Sequence, residues 1–273
     1  MPFLHRDNVA LYVEDVAGAG RPIVLIHGWC CDHTYFAPQT SHFASLGHRV
    51  VSPDLRGHGR SDKPHQPYPI GAFADDVAWL CRELKLPKPI LVGHSMGGIV
   101  SFDVAARYPE LPGAIVMLDA AVVLPPAARA AIPQFLERLR GPDYAIALRD
   151  LVSSVFFLSS DDAVRKAHIL EEMAKTPQHV MESAYQGLGE FRADDAQGRV
   201  IVPSLYIAAD EPSPRSDVAR LRELLPQLSL GRTVGSGHFC QLEAPDQINA
   251  MIARFIAVTL EPSPGAAQSK GGE

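Results

Sequence analysis

Ile90-Leu91-Val92-Gly93-His94-Ser95-Met96-Gly97-Gly98 is the stretch from which the rest of the chain is read. An apolar run of strand type enters a turn with glycine two residues to either side of a serine, and a helical pattern follows. The small residues are a steric necessity, because the turn is sharp and its neighbours pack close beneath it. A serine so placed is lifted clear of the sheet at the positive end of the next helix. The strand before it and the helix after it separate this motif from a chance G-x-S-x-G.

Outward from that turn, short apolar runs recur at Ile23 to Ile26, Val50-Val51, Ala114 to Leu118 and Leu205 to Ala208, with an earlier strand candidate over Val9 to Val16. They are rich in Val, Ile and Leu and bounded by Gly or Pro, as strands buried on both faces of a parallel sheet are. Helical stretches lie between them. In Gly71 to Lys85, for example, Phe73, Val77, Leu80 and Leu84 recur every three or four residues. This alternation predicts an α/β fold with a mostly parallel, doubly wound sheet. It stops between Pro125 and Gln197, where helical propensity dominates, and strand-like runs resume at Val200-Ile201-Val202. The expected organisation is therefore a core over 1–124, a helical cap over 125–197, the rest of the core over 198–262 and a disordered Pro/Gly/Ser tail over 263–273.

Composition narrows the function. The 273 residues are 47% hydrophobic and 21% charged, with a net charge of −6, so the chain reads as globular and carries no basic footprint for nucleic acid or an anionic membrane. The run Gly113 to Leu124 is too short to span a bilayer, and Met1 to Asp7 shows no signal-peptide pattern. Cys30, Cys31, Cys81 and Cys240 form no disulfide framework, and free thiols point to a reducing cytosol. The 11 histidines are dispersed without metal-ligand spacing, and Gly97-Gly98 belongs to the serine turn. No metal and no cofactor are expected. The expected partner is a small-molecule substrate.

Two further motifs bear on chemistry. Ile23-Val24-Leu25-Ile26-His27-Gly28-Trp29 is a strand ending in His-Gly, with His27 read as a loop anchor. Gly235-Ser236-Gly237-His238-Phe239 is a glycine-flanked loop late in the chain that can swing His238 over the sheet to Ser95. Asp54-Leu55-Arg56-Gly57-His58-Gly59-Arg60-Ser61 looks chemical but reads as a tight turn whose polar side chains satisfy its backbone and each other.

On these residues the chain resembles the α/β-hydrolase superfamily over about residues 9–260. The resemblance implies an oxyanion hole built from the N–H groups of Met96 and Trp29, and a triad in the order Ser95, acid, His238. Two places can hold the acid. Asp119 ends the strand Ala114 to Leu118. Asp210 follows the strand Leu205 to Ala209, where the family usually sets its acid three residues beyond a glycine. Here Ala209 replaces that glycine and the acid's place falls on Pro212, so Asp119 is favoured and Asp210 is the alternative. Pro203 to Pro212 is similar to a stretch of haloalkane dehalogenases, whose nucleophile is an aspartate. Gly28-Trp29-Cys30-Cys31-Asp32-His33 is similar to a loop of the cofactor-free dioxygenases that open quinolone rings. Both place their acid at the first position. Hydrolysis of a small carboxylic ester or related acyl compound through an acyl-enzyme is the expected function. Cofactor-independent ring cleavage and a small-ligand receptor on a hydrolase fold are the alternatives. Phe135, Phe156, Phe157 and Tyr185 are candidates for an apolar pocket in the cap.

Overall fold

The computed structural model describes residues 2–212 and 214–260. The predicted tail over 263–273 lies outside the described residues. The strands are β1 (Phe3–Arg6), β2 (Val9–Val16), β3 (Gly20–Ile26), β4 (His48–Pro53), β5 (Ile90–His94), β6 (Ala114–Leu118), β7 (Ser204–Ala208) and β8 (Leu228–Arg232). They form one sheet in the order β1-β2-β4-β3-β5-β6-β7-β8. The β1–β2 and β2–β4 pairs are antiparallel, and every later pairing is parallel.

Helices link the strands: α1 (Ala37–Ser45), α2 (Ile70–Glu83) and α3 (Met96–Arg107), then α4 (Pro126–Arg140), α5 (Tyr144–Val155), α6 (Ala163–Met173) and α7 (Gln178–Glu190) between β6 and β7, and finally α8 (Val218–Leu224), α9 (Cys240–Glu243) and α10 (Pro245–Thr259). Side chains alternate across the sheet with period two. Ile23, Leu25, Ile90, Val92, Val116 and Leu118 pack on α1 and α10 through Phe43, Ile248, Ile252 and Phe255. Val24, Ile26, Leu91, Ile115 and Met117 face the other way, toward Phe73, Val77 and Leu80 of α2 and Ile99 and Val100 of α3. Both faces are thus covered by helices, which is why the central strands could afford uninterrupted Val, Ile and Leu.

One local expectation needs correction. Val200–Val202 is not a strand; the strand begins at Ser204, after Pro203, whose missing N–H cannot join a central ladder. The edge strand β1 was not foreseen, because Phe3–Arg6 is only four residues long and buries none of its side chains. The four-residue α9 lies between the His238 loop and α10.

The register brings the ends of three strands together. Ile26 of β3 lies opposite Gly93 of β5, and His94 opposite Leu118 of β6. The chain leaving these strands, at Gly28, Ser95 and Asp119, therefore emerges at the carboxyl edge of the sheet, where open α/β sheets hold ligands. Close packing there depends on glycine. A Cβ on Gly97 would stand 2.0 Å from the Ile26 carbonyl oxygen, and one on Gly93 would stand 2.0 Å from the Gly97 carbonyl oxygen. Backbone cannot retreat as a flexible side chain can. Gly97→Ala is expected to destabilise the protein by about 3 kcal/mol or more in urea titrations. Gly47→Ala, where φ is +87° but nothing lies within 4 Å of the added carbon, should cost only about 1–2 kcal/mol of backbone strain.

Candidate active site

Ser95 sits between β5 and α3 at φ 52°, ψ −118°, a conformation that side-chain-bearing residues adopt only when their surroundings impose it. Its N–H donates to the Leu118 carbonyl at 2.9 Å, which fixes the turn to β6. Gly28 makes the next contact possible: a Cβ there would meet the Ser95 Cβ at 3.2 Å and His94 Nδ1 at 3.1 Å. The loop after β3 can therefore lie directly against the serine.

Asp119 and His238 meet at the same edge. His238 Nδ1 donates to Asp119 Oδ2 at 2.6 Å, and both side chains are buried. Because a carboxylate accepts, the proton resides on Nδ1, and Nε2 carries the lone pair. Asp119 also accepts from the Ala209 N–H at 3.1 Å and from Arg215 Nε at 2.8 Å. Burial raises the Asp119 carboxyl, but the hydrogen bond from His238 and the charges of His238 and Arg215 outweigh it, leaving a pKa of about 2. For His238 burial is the larger effect; with the Arg215 charge it overcomes the pull of Asp119 and lowers the pKa to about 4. Asp210 stands elsewhere. Its carboxylate takes Arg232 Nη2 at 2.9 Å and the Gly235 N–H at 2.9 Å, at a partly exposed position.

Ser95 and His238 line one small cavity of about 40 Å³, with Gly28 and Trp29 from the β3 loop and Phe156, Met173, Tyr185 and Leu188 from the helical insert. Among the described residues no hydrogen bond joins their side chains, a gap common before substrate binds. The Trp29 and Met96 N–H groups likewise have no protein acceptor among the described residues. Met96 is the first residue of α3, so its N–H is one of the donors a helix start leaves free. The Trp29 indole donates to the Met181 carbonyl at 2.9 Å, packs edge-on to Phe135 and lies tilted against Tyr185. Of the four aromatic pocket candidates, Phe156 and Tyr185 reach the cavity. Phe135 backs Trp29, and Phe157 packs on Phe239.

The remaining motif residues hold loops. His27 Nε2 accepts from the Leu55 N–H at 2.9 Å. Asp54 takes the His33 N–H at 2.7 Å, His33 Nδ1 at 2.8 Å and the Arg60 N–H at 2.7 Å, and Ser61 Oγ donates to its carbonyl. Arg56 differs from expectation: it pairs with Asp76 of α2 rather than within its own turn. The trio Asp32, His33 and Asp54 places possible metal donors within 4.8 Å of one another, but the Asp54 and His33 atoms are already engaged by these hydrogen bonds. The four cysteines are free and buried. Sequence reasoning missed Arg215 and the insert's contacts with His238, for Arg215 stands in an irregular Pro- and Ser-containing loop that carries no periodic signal.

A family model for the alpha/beta hydrolase fold matches residues 21–245. The chain belongs to the α/β-hydrolase family. It is 30% identical over 270 residues to the AB hydrolase superfamily protein YisY of Bacillus subtilis, spanning 92% of this chain and 96% of that one. Among solved structures, Est816, described as an N-acyl homoserine lactone degrading enzyme, is 27% identical with a TM-score of 0.79, over 93% of this chain and all of the other. A thermophilic esterase from Thermogutta terrifontis shares the fold at a TM-score of 0.82 and 24% identity, over 94% of this chain and 97% of that one. Among the described residues of this α/β-hydrolase, no helix is long and apolar enough to cross a membrane.

The buried histidines give this α/β-hydrolase a pH signature. Burial lowers the pKa of His27 and His94, takes His58 to about 3 and leaves His238 at about 4. An unfolded histidine titrates near 6.5, so below that pH the unfolded chain takes up protons that the folded chain does not. Stability contributed by neutral burial is complete above about pH 6.5 and falls as the pH drops toward the folded values. His33 opposes this: burial works against its charge, but Asp54 outweighs burial and raises its pKa. Four lowered groups against one predict a urea midpoint that falls steadily from pH 7 to pH 5. Replacing His58 with Gln should flatten that slope.

Proposed function

We propose that this α/β-hydrolase cleaves a small carboxylic ester or related acyl compound through Ser95, His238 and Asp119, with the Met96 and Trp29 N–H groups as oxyanion donors. The observation that carries the proposal is the buried 2.6 Å bond between His238 Nδ1 and Asp119. It leaves the Nε2 lone pair available beside a serine held at positive φ.

In this reading Ser95 Oγ attacks the carbonyl carbon while His238 Nε2 takes the hydroxyl proton. The carbonyl oxygen becomes an oxyanion facing the two N–H donors, each typically worth about 2.7–4 kcal/mol to such a transition state. Collapse re-forms the carbonyl and breaks the bond to the alcohol, which leaves with the proton from His238. Water then attacks the acyl-serine by the same route, releasing the acid and restoring Ser95. Asp119 stays ionised throughout and stabilises the imidazolium as it forms. The inward-facing Trp29, Met173, Tyr185 and Leu188 suit an apolar acyl group. Residues 125–197 are read as the cap that closes over it.

Short p-nitrophenyl esters are the first substrates to test. Ser95→Ala should retain the fold and lose all but a trace of turnover, with labelling by a fluorophosphonate lost in parallel. Asp119→Asn should cost roughly 10⁴-fold in kcat, by analogy with the serine proteases, whereas Asp210→Asn should cost little. The reverse ranking moves the acid to Asp210. Oxygen-dependent cleavage of a hydroxyquinolone that survives Ser95→Ala but not His238→Ala would replace ester hydrolysis with the dioxygenase reading.

A further inference from the structure

Arg215 lies in the loop between β7 and α8, and its side chain is only 14% exposed. It reaches four partners. Nε donates to Asp119 Oδ2 at 2.8 Å, and Nη2 donates to the Val155 carbonyl at 2.8 Å and to the Glu211 carboxylate at 2.5 Å. The guanidinium also sits 4.7 Å over the Phe156 ring. Phe156 in turn lies against His238, with ring centroids 4.5 Å apart, and its carbonyl accepts the His238 N–H at 3.0 Å. One residue back, the Gly237 N–H meets Asp161 Oδ1 at 3.3 Å, while Asp161 Oδ2 accepts from the Leu158 N–H at 2.7 Å. A Cβ on Gly237 would stand 2.6 Å from that second oxygen. The histidine loop and the 155–161 corner of the insert are thus joined by one backbone–backbone and one backbone–carboxylate hydrogen bond, and Arg215 ties the same corner to Asp119.

We propose that Arg215 is a positioning residue: it fixes the Asp119 carboxylate for His238 and fastens that pair to the 155–161 corner of the helical insert. The inference rests on the Ser95, His238 and Asp119 reading given above. A surface-type ion pair with Glu211 would satisfy an arginine without engaging Asp119. Here the planar fork spends Nε on the carboxylate that His238 uses and Nη2 on the insert, a geometry that lysine's point charge cannot span.

The arrangement has an electrostatic consequence. A cation sharing Oδ2 with His238 disfavours a second positive charge on the imidazole. His238 is therefore kept in its neutral, basic form at mildly acidic pH, and the direction of its shift agrees. Among the described residues, the other charged or titratable groups near the pair are Glu211 beside Arg215, Asp161 from the insert, His94 from the serine turn, and Tyr185, Tyr206 and Cys240, which burial keeps protonated. Burial keeps His94 uncharged. Burial raises Glu211, yet the Arg215 charge beside it favours its ionised form.

The experiment compares Arg215→Gln and Arg215→Lys with wild type on a p-nitrophenyl ester across pH 4–9. Arg220→Gln, which breaks a solvent-facing ion pair with Asp194 and Glu223, is the control. Arg215→Gln should move the acid limb of kcat/KM up by about one pH unit. Its plateau should fall about tenfold as the acid loses its fixed geometry. Arg215→Lys should keep the wild-type acid limb, because the charge remains, while losing a similar share of the plateau. An Arg215→Gln profile superposable on wild type, or a rate loss with an unmoved acid limb, overturns the proposal. If Arg215→Gln fails to fold, the lysine variant decides, and full activity in it overturns the proposal. His238→Ala in the same assay tests the underlying reading. If it keeps its rate, the triad itself fails; if it is inactive and Arg215→Gln is unchanged, the arginine inference alone fails.

Discussion

Close packing of backbone on backbone at the end of β3 is the constraint on which the rest of the site depends. Gly93 and Gly97 leave no room for even one carbon atom against carbonyl oxygens of the turn and of β3. Only with that space removed can Ser95 be held at positive φ with its N–H tied to Leu118. The same absence of side chains lets Gly28 lie against Ser95 and His94. Local strain of this kind persists because the surrounding sheet over-determines it. The geometry of Ser95 is therefore a property of three neighbouring strands.

Charge at the site follows from burial. An isolated carboxylate at the depth of Asp119 would cost several kcal/mol. Asp119 instead has three donors, one each from His238, Arg215 and the Ala209 backbone. Those donors keep it ionised, and its ionisation fixes the proton of His238 on Nδ1. The imidazole then faces two opposing influences, an anion that favours its charge and burial with a nearby cation that disfavour it. The balance leaves a neutral ring on a residue that lines the same cavity as Ser95. Asp210, partly exposed and engaged with Arg232 and the Gly235 N–H, supports the histidine's loop from outside.

The helical insert does more than cover the cavity. Phe156, Met173, Tyr185 and Leu188 give the cavity its apolar walls, and the indole of Trp29 is anchored on the Met181 carbonyl. The insert's 155–161 corner is bonded to the loop that bears His238. The insert is thereby coupled to His238 as well as to the cavity walls.

The strand-turn-helix around Ser95, the parallel core and the late histidine loop were legible in the sequence because each rests on local rules. Glycine alone fits a tight backbone approach, Val and Ile runs suit buried strands, and period 3.6 marks α2. Asp119 could be favoured over Asp210 from strand ends and the missing glycine at Ala209, since both are short-range features. The start of β7 was misplaced at Val200–Val202 because apolar composition says nothing about which residues join a ladder, and the edge strand β1 was missed because it is only four residues long and buries none of its side chains. Arg215, Phe156 and Asp161 acquire meaning only through contacts spanning 60 to 96 residues of chain. Such contacts are decided by how the insert folds back on the sheet. Local sequence pattern determined which side chains stand at the strand ends; the tertiary structure alone decided which of them share a buried carboxylate, because that depends on distance in space and on the exclusion of water.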